Sequence, residues 1–336
     1  QGLFYPPDPA SLKECTLGGN VATNAGGPRC LKYGVTRHYV LGLEVVLADG
    51  RVLHCGSRCH KNKTGFDLIG MFVGSEGLLG IVTEITVRLL PNPPARGMLS
   101  CSFHGFAAAA NAVQGILRGG HLPSALEISD QFTLQAARDH AGTERIPDGE
   151  AHLLLELDGQ AASVRSECQQ LKGLLEDLGG FDLDLANNED DCERLWEIRR
   201  AFSYSLRATG LTKLNEDIVV PRGRLVDLAN FTAQLQEESG FQVASFGHAG
   251  DGNIHVNIMV PPLDSAESHA AVDATLDRLF QQVLAWGGVI SGEHGIGLAK
   301  KPWFRQALPE VALDVHKTLK HALDPLGLLN PGKFVS

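Results

Sequence analysis

The chain has 336 residues, of which 43% are hydrophobic, and its formal net charge is −10. That length and apolar content suffice for two domains with separate cores. The acidic balance argues against nucleic-acid binding, and no apolar run reaches the roughly 18 residues of a transmembrane helix. The first residues lack a basic and apolar leader, and seven cysteines in no regular framework suit a reducing compartment. These features predict a cytoplasmic enzyme that acts on small molecules.

Glycine-rich segments dominate the first hundred residues. A proline-fixed loop, LFYPPDPAS, precedes TLGGNVATNAGG at residues 16–27, which we predict to be a loop whose backbone N–H groups bind phosphate. A pair of ordinary turns is the alternative, and the pattern is not the G-x-G-x-x-G fingerprint of a Rossmann fold. A hairpin turning at Asp49-Gly50, a short helix at Asp67–Phe72, a second glycine loop and an alternating strand follow. Prolines at 91–94 mark a domain boundary.

Strand and helix patterns alternate beyond residue 95, which predicts a sheet covered by helices. Helices are expected at Phe106–Leu117, at Ala162–Leu178 and along ERLWEIRRAFSYSLRATG. In the last of these, Arg199 lies beside the apolar face, where it either snorkels or clamps a carboxylate bidentately. Lys213, in the strand that precedes Pro221, is a second candidate contact for a carboxylate.

Two glycine-rich segments, SFGHAGDGNIHVN at 245–257 and SGEHGIG at 291–297, contain the candidate metal ligands. A tight turn between His248 and His255 brings both imidazoles to one side, and imidazole suits Zn, Fe or Ni. Adding Glu293 gives a His2Glu set with an open position, typical of catalytic zinc. A plain hairpin without a metal is the alternative.

The chain between the two segments restricts this metal site. A helix from about Ser265 to Trp286 spans roughly 30 Å. Glu293 can therefore meet His255 only if GVISGEHG is a turn or short segment at the end of the strand where His255 begins. Asp251, before a glycine, is expected to form the turn rather than to bind the metal.

Several long motifs carry a family resemblance. GLFYPPDPAS, TLGGNVATNAGG, KYGVTRHYVLGLEVVLADG, KTGFDL and FVGSEGLLGIVTE resemble the second half of the flavin domain of FAD-linked oxidases in the vanillyl-alcohol-oxidase superfamily. Within that superfamily the chain is most similar to the group of glycolate oxidase D-subunits and D-lactate dehydrogenases. The resemblance covers essentially the whole chain, and it implies that the front βαβ portion of the flavin domain is missing.

The resemblance implies an α+β fold, with the C-terminal half of a PCMH-type FAD-binding domain followed by a ferredoxin-like substrate (cap) domain. Residues 1–94 would form the partial FAD-binding domain, 95–323 the cap domain with the metal site, and 324–336 a tail that returns to the flavin. The implied FAD contacts are Pro7, Thr16, Gly18, Gly19, Asn20, Thr23, Asn24, Gly26, Gly27, Glu76, Gly80, Ile81, Val82 and Asn330, with Lys333 near the flavin ring.

The implied activity is FAD-dependent oxidation of a small 2-hydroxy acid, glycolate or D-lactate, to the 2-oxo acid. Arg199 would hold the substrate carboxylate, Lys213 would contact the carboxylate or the flavin, and a divalent metal, zinc by preference, would stabilise the alkoxide. His294 would be the general base, because an imidazole titrates near pH 6.5.

Other functions are also compatible with the sequence. The His2Glu set also suits metal-assisted hydrolysis, although a hydrolase would not need the flavin-type loops. The chain is alternatively a non-catalytic or truncated subunit, or a dehydrogenase of the D-2-hydroxyglutarate type. The family resemblance further implies an iron–sulfur subunit or a quinone as electron acceptor, and peripheral membrane association through such a partner.

Overall fold

A computed structural model describes residues 1–142, 146–262 and 265–335. Packing divides the chain into two compact units: unit 1 contains residues 1–92 and 290–336, and unit 2 contains residues 93–289. Within the described ranges, no helix combines the length and the apolar character needed to cross a membrane.

The strands are β1 (Leu3–Phe4), β2 (Val40–Val46), β3 (Val52–Gly56), β4 (Ile81–Val87), β5 (Leu90–Pro91), β6 (Ala95–Phe103), β7 (Ala125–Asp130), β8 (Ala151–Gly159), β9 (Phe181–Ala186), β10 (Thr212–Val219), β11 (Gln242–His248) and β12 (Asn253–Val260). The helices are α1 (Leu17–Thr23), α2 (Cys30–Tyr33), α3 (Leu68–Phe72), α4 (Phe106–Arg118), α5 (Gln131–Ala141), α6 (Ala161–Asp177), α7 (Glu189–Ala208), α8 (Leu225–Ser239), α9 (Ala266–Ala285), α10 (Lys301–Ala307) and α11 (Glu310–Leu323).

Unit 2 is built on a seven-stranded sheet of order β10-β12-β11-β7-β8-β6-β9, in which every pairing is antiparallel. Four of these strands, β6, β7, β8 and β9, with helices α4 and α6, follow the β-α-β-β-α-β order of a ferredoxin-like fold. Strands β10, β11 and β12 extend the same sheet. The predicted α+β class and the ferredoxin-like cap are confirmed.

One face of this sheet packs against α5 and α7. The shared core contains Leu134 from α5, Leu195 and Phe202 from α7, and Phe246 and Met259 from the strands. The apolar residues of α7 recur at helical spacing, as the sequence predicted, and they hold the helix against the sheet. This packing places Arg199 of α7 beside Glu127 of β7, and Ser203 of α7 beside Lys213 of β10.

Unit 1 contains a three-stranded sheet of order β3-β2-β4. Val21 of α1 and Phe72 of α3 pack on Leu43 and Val45 of β2 in its core. The predicted hairpin at Asp49-Gly50 and the helix after Asp67 are present, and the Asp67 carboxylate caps that helix by accepting from the Gly70 N–H at 2.9 Å.

The prediction that residues 16–27 form one continuous loop is wrong. Residues 17–23 form helix α1, because the Thr16 hydroxyl accepts a hydrogen bond from the Gly19 N–H at 3.0 Å and so caps the first turn. Two glycines in a short helix are tolerated when capping and core packing by Val21 compensate for their low helix propensity. Only residues 24–27 are loop.

Packing groups residues 290–323 with unit 1, whereas the sequence assigned them to the cap domain. The Glu76 carboxylate accepts from the Ile296 and Gly297 N–H groups at 2.7 and 2.9 Å. The Lys320 ammonium, which is buried, donates to the Leu78 carbonyl at 2.9 Å. These bonds hold the segment to the first 92 residues, and the functional domains implied by the resemblance stay a prediction.

Acid should destabilise unit 2 through His152, which is buried in β8 and bonds the Ser100 hydroxyl at 2.7 Å. Burial, and then repulsion by Arg138, lower the pKa of His152 to about 4. The unfolded chain protonates near pH 6.5, so stability is complete above that pH and is lost as the pH falls towards 4. The expected loss between pH 7 and pH 5 is about 2 kcal/mol from this group.

Urea unfolding at pH 7 and pH 5 checks this prediction. In His152→Gln, the difference in unfolding free energy between pH 7 and pH 5 should be smaller by about 2 kcal/mol than in the unmodified chain. The control His140→Gln, which changes an exposed histidine, should keep the full difference. An unchanged difference in His152→Gln would contradict the assignment.

Candidate active site

The hairpin of β11 and β12 places two histidines on the face of the sheet that α7 covers. His248 lies opposite Glu127 of β7 and opposite Asn253 of β12, and His255 lies opposite Asp217 of β10. Side chains directly opposite in an antiparallel pair share a face. The two imidazole rings are 5.5 Å apart between centroids, at an interplanar angle of 82°. The sequence prediction that a tight turn brings both rings to one side is therefore confirmed.

A carboxylate of the sheet lies beside each ring, within hydrogen-bond distance of His248 but not of His255. The His248 Nδ1 lies 2.6 Å from the Glu127 Oε1, and the His255 Nδ1 lies 3.9 Å from the Asp217 Oδ1. Asp217 is itself held by the Asn253 amide, which donates to its Oδ1 at 2.7 Å. Imidazoles backed by carboxylates are typical of metal ligands, because the second partner sets the tautomer and the ring orientation.

Asp251 forms the turn between β11 and β12, as predicted. Asp251 accepts a hydrogen bond from the Asn253 N–H at 3.2 Å, the bond of an Asx turn. The turn thus brings His248 and His255 together across a segment of six intervening residues.

Glu127 is a buried carboxylate that the sequence analysis did not single out. Its side chain is 2% exposed, and it bridges His248 and Arg199, whose Nε donates to its Oε2 at 2.5 Å. Burial alone would raise the pKa of Glu127, but attraction by His248 and then by Arg199 outweighs burial and holds that pKa at about 2. Glu127 is therefore ionised at neutral pH.

The sequence pattern around Glu127 predicts an exposed carboxylate rather than a buried one. In SALEISD, Leu126 and Ile128 alternate with Glu127, which reads as a strand with one apolar and one solvated face. The sheet is covered on both sides, so the polar face is buried. A carboxylate on a buried strand face needs a charged partner, and Arg199 is the one that α7 supplies.

Arg199 lies where a carboxylate clamp needs a guanidinium. Its side chain is mostly buried, and its guanidinium carbon is 4.7 Å from the centroid of the Phe246 ring. Glu127 takes the Nε, and among the described residues no other group accepts a hydrogen bond from Arg199. The neighbouring Arg200 points to solvent and pairs with Glu193. The two terminal amino groups of Arg199 keep the fork geometry that binds a carboxylate.

Lys213 lies at the same side of the sheet. Its ammonium donates to the Ser203 hydroxyl at 2.9 Å, one helical turn after Arg199 on α7. Burial, and then repulsion by Arg207 and Arg199, lower the pKa of Lys213 to about 8. Two cations thus lie within one turn of α7, an arrangement that attracts an anionic ligand.

The other predicted residues lie in unit 1. Glu293 and His294 belong to the loop 291–297, where the Ser291 hydroxyl donates to the Gly295 carbonyl at 2.9 Å. The Glu76 carboxylate, a predicted FAD contact, is engaged in holding this loop through Ile296 and Gly297. Glu76 thus has a structural task in addition to any ligand contact.

The metal site predicted from the sequence requires residues 288–295 to form a turn or short segment at the end of the strand where His255 begins, and the backbone before this loop agrees with that. Val289, at the end of unit 2, exchanges backbone hydrogen bonds of 3.0 and 2.9 Å with Val219 of β10. Val219 lies opposite Asn253, two residues before His255. Residues 290–297 contain no strand. The chain therefore leaves unit 2 at the end of the sheet where His255 lies.

Packing requires a glycine at some of the predicted FAD contacts but not at others. A Cβ at Gly27 would overlap the Asp8 carbonyl, and a Cβ at Gly80 would overlap the Val45 side chain, so the fold itself requires glycine there. A Cβ at Gly18 would meet nothing within 4 Å. Bare backbone in open space at the capped end of α1 fits a ligand that approaches closely.

The remaining predicted contacts surround this region of unit 1. Thr16, Gly19, Asn20 and Thr23 lie at or in α1, whereas Pro7, Asn24 and Gly26 lie in loops, Ile81 and Val82 in β4, and Asn330 near the C-terminus. Asn330, whose amide donates to the Glu76 carbonyl, and Asn24 both have positive φ, at 43° and 55°. Their role as FAD contacts stays a prediction.

Comparison with known proteins shows the family to which the chain belongs. Residues 92–334 match the family described as FAD linked oxidases, C-terminal domain, and residues 1–56 match an FAD binding domain. The glycolate oxidase subunit GlcD of Bacillus subtilis is 38% identical and is matched over 99% of this chain and 71% of its own length. GlcD of Escherichia coli K12 is 39% identical over 99% and 66%, and the D-lactate dehydrogenase of Archaeoglobus fulgidus is 35% identical over 99% and 72%.

Solved structures show the same fold at low sequence identity. The 4-ethylphenol oxidase of Gulosibacter chungangensis superposes with a TM-score of 0.75 at 19% identity, over 99% of this chain and 72% of its own. An alkyldihydroxyacetonephosphate synthase superposes with a TM-score of 0.69 at 20% identity, over 99% and 61%. The resemblance in the motifs and the PCMH-type fold predicted from them are both confirmed.

Substitutions at two glycines should separate folding from flavin binding. Gly27→Ala should lower the unfolding free energy by about 1–3 kcal/mol, because the added methyl group has no room. Gly18→Ala should leave stability equal or raise it by up to about 1 kcal/mol, yet lower FAD affinity if bare backbone contacts the cofactor. Thermal unfolding and FAD titration of both variants measure the two effects. Equal FAD affinity in Gly18→Ala and the unmodified chain would remove Gly18 from the cofactor site.

Proposed function

This chain belongs to the FAD-linked oxidase family, and on that premise we propose that it oxidises a small 2-hydroxy acid, glycolate or D-lactate, to the 2-oxo acid. The observation that carries the proposal lies within unit 2, where one buried carboxylate, Glu127, binds both Arg199 and His248. A guanidinium suited to the acid group and an imidazole suited to a metal are thereby held beside each other. The names of the relatives, glycolate oxidase subunit and D-lactate dehydrogenase, support this substrate class.

The proposed metal is a divalent cation, zinc by preference. His248 and His255 fit it, since the ionised Glu127 accepts the Nδ1 proton of His248 and leaves the lone pair of the neutral ring on Nε2. Glu293 as third ligand is carried over from the sequence. When bound, the cation supplies Lewis-acid stabilisation of the substrate hydroxyl oxygen, and FAD supplies the hydride acceptor.

Arg199 and Lys213 bind and orient the acid in this proposal. Arg199 offers its two terminal amino groups to the carboxylate, while Glu127 and the Phe246 ring keep the guanidinium from rotating. Lys213 adds a second positive charge, held by Ser203. Orientation by such fixed groups lowers the entropic part of the barrier.

His294 is the proposed general base for the hydroxyl proton. An imidazole near working pH is the usual group for that task. The loop that carries His294 is fixed through Glu76 and Ser291 within unit 1, and a base on a fixed backbone keeps its position during reaction.

We also propose an electron acceptor and a location in the cell. The word subunit in the names of two relatives supports a partner chain, for which an iron–sulfur protein or a quinone acceptor is the chemistry we propose. We place the chain in the cytoplasm, with membrane association through that partner.

Anaerobic reduction of the flavin tests the proposal. The purified chain, reconstituted with FAD and Zn²⁺, is mixed with glycolate, D-lactate or D-2-hydroxyglutarate, and the flavin absorbance is followed. Bleaching by glycolate or D-lactate is expected. Bleaching by D-2-hydroxyglutarate alone would overturn the choice of substrate. A colourless protein, or bound flavin that none of the acids reduces, would contradict the proposal and favour a non-catalytic subunit.

Three variants refine the same assay. His294→Ala should slow flavin reduction at least about 10²-fold, the contribution of a general base. Arg199→Lys should raise the substrate concentration for half-maximal rate about 10- to 100-fold, since the bidentate charged hydrogen bonds are lost. The control Arg200→Lys changes the exposed neighbour and should alter neither quantity. Equal effects of the two lysine variants would refute the role of Arg199.

A further inference from the structure

We propose that Glu127 is a positioning residue that aligns the carboxylate clamp and the metal ligand of the proposed active site with respect to each other. The inference rests on the proposed function and deepens it. Both oxygens of Glu127 are engaged: Oε1 lies 2.6 Å from His248 Nδ1, and Oε2 accepts from Arg199 Nε at 2.5 Å. The carboxylate of Glu127 therefore contacts both the proposed metal ligand and the proposed carboxylate clamp.

The three residues come from three different elements. Glu127 lies on β7, His248 on β11 and Arg199 on α7. Strands β7 and β11 are locked by backbone pairing that sets Glu127 directly opposite His248. Helix α7 is packed on the sheet through Leu195 and Phe202. The carboxylate thus ties a helix side chain to a strand side chain at a defined spacing.

For His248, the consequence is a fixed tautomer. Glu127 Oε1 lies 2.6 Å from His248 Nδ1 while Oε2 accepts from Arg199 Nε, so a hydrogen on Nδ1 is the one that joins the ring to this carboxylate. The lone pair then lies on Nε2, the nitrogen on the opposite edge of the ring. Without Glu127 the Nδ1 of His248 loses this acceptor, and metal affinity should fall.

For Arg199, the consequence is a fixed plane. Glu127 binds the Nε edge, and Phe246 lies 4.7 Å below the guanidinium carbon. The terminal amino groups are then held in one direction, which is the condition for bidentate binding of a carboxylate. Lys213 and Ser203 complete the arrangement on the neighbouring turn of α7.

Stability alone does not account for Glu127. A buried ion pair contributes little or nothing to stability in comparison with apolar residues of similar volume. The same sheet face offers a matched comparison in Glu156 of β8, which is 1% exposed and accepts from the Trp196 indole N–H at 2.8 Å. Glu156 also lies near Arg96, at 3.4 Å, but neither Trp196 nor Arg96 is proposed to contact substrate or metal.

The test compares Glu127→Gln with Glu156→Gln. Both replace a buried carboxyl group by an amide of the same size. With Glu127→Gln we expect the affinity for Co²⁺, used as a spectroscopic probe, to fall about 10- to 100-fold. The half-saturating concentration of the 2-hydroxy acid should rise at least about tenfold, from loss of the Arg199 alignment. Glu156→Gln should change both quantities less than twofold.

A measurement without metal or substrate separates this inference from the proposed function. In metal-free protein with ¹⁵N-labelled histidine, the His248 signal, assigned through His248→Asn, should show the Nδ1–H tautomer. In Glu127→Gln the Nε2–H form should appear. An Nε2–H form in the unmodified protein would overturn the inference even if the enzyme oxidises no hydroxy acid.

Two further results would overturn it. One is folded Glu127→Gln with unchanged tautomer, Co²⁺ affinity and half-saturation. The other is an equal loss in Glu156→Gln, which would show that any buried charge in the sheet has this effect. If the unmodified chain binds no Co²⁺ and no hydroxy acid while the tautomer changes as expected, the proposed function fails and the positioning role of Glu127 stands.

Discussion

A carboxylate that is 2% exposed and ionised at neutral pH sits between a guanidinium and an imidazole in the centre of unit 2. Burying such a charge costs several kcal/mol unless its hydrogen bonds are made. Glu127 meets this requirement, since Oε2 accepts from Arg199 and Oε1 lies 2.6 Å from His248 Nδ1. The packing of α7 on the sheet and the pairing of β7 with β11 are the structural means by which the requirement is met.

The sequence predicted much of this architecture because its signals are local. The helix Ala266–Ala285, the turn at Asp251 and the hairpin that carries His248 and His255 all follow from spacing and turn chemistry. Glu127 was missed because its strand alternates like one with a solvated face. Whether that face is buried depends on α7, which lies more than sixty residues later in the chain. No local pattern contains that information.

The glycine-rich segments illustrate the same limit in unit 1. A run of small residues at 16–27 predicted one loop, but the Thr16 cap and the burial of Val21 convert its first part into a helix. Gly27 and Gly80 are explained by contacts with Asp8 and Val45, which only the folded chain reveals. A glycine in a cofactor motif can therefore serve the fold, the ligand or both. At Gly18 a Cβ would meet nothing within 4 Å, so packing gives no reason for a glycine at that position.

The family resemblance and the packing assign the segment after residue 290 to different parts of the chain. The resemblance assigns Glu293 and His294 to a cap domain, whereas hydrogen bonds from Ile296 and Gly297 to Glu76 hold their loop in unit 1.

We propose that the hairpin of β11 and β12 supports a metal centre with His248 and His255 as ligands. X-ray absorption at the zinc edge of the Zn²⁺-loaded chain would show these ligands. Nitrogen and oxygen ligands are expected at about 2.0–2.2 Å, with the outer-shell scattering of two imidazole rings and no sulfur at about 2.3 Å. Sulfur ligands from any of the seven cysteines, or a spectrum without imidazole scattering, would contradict it.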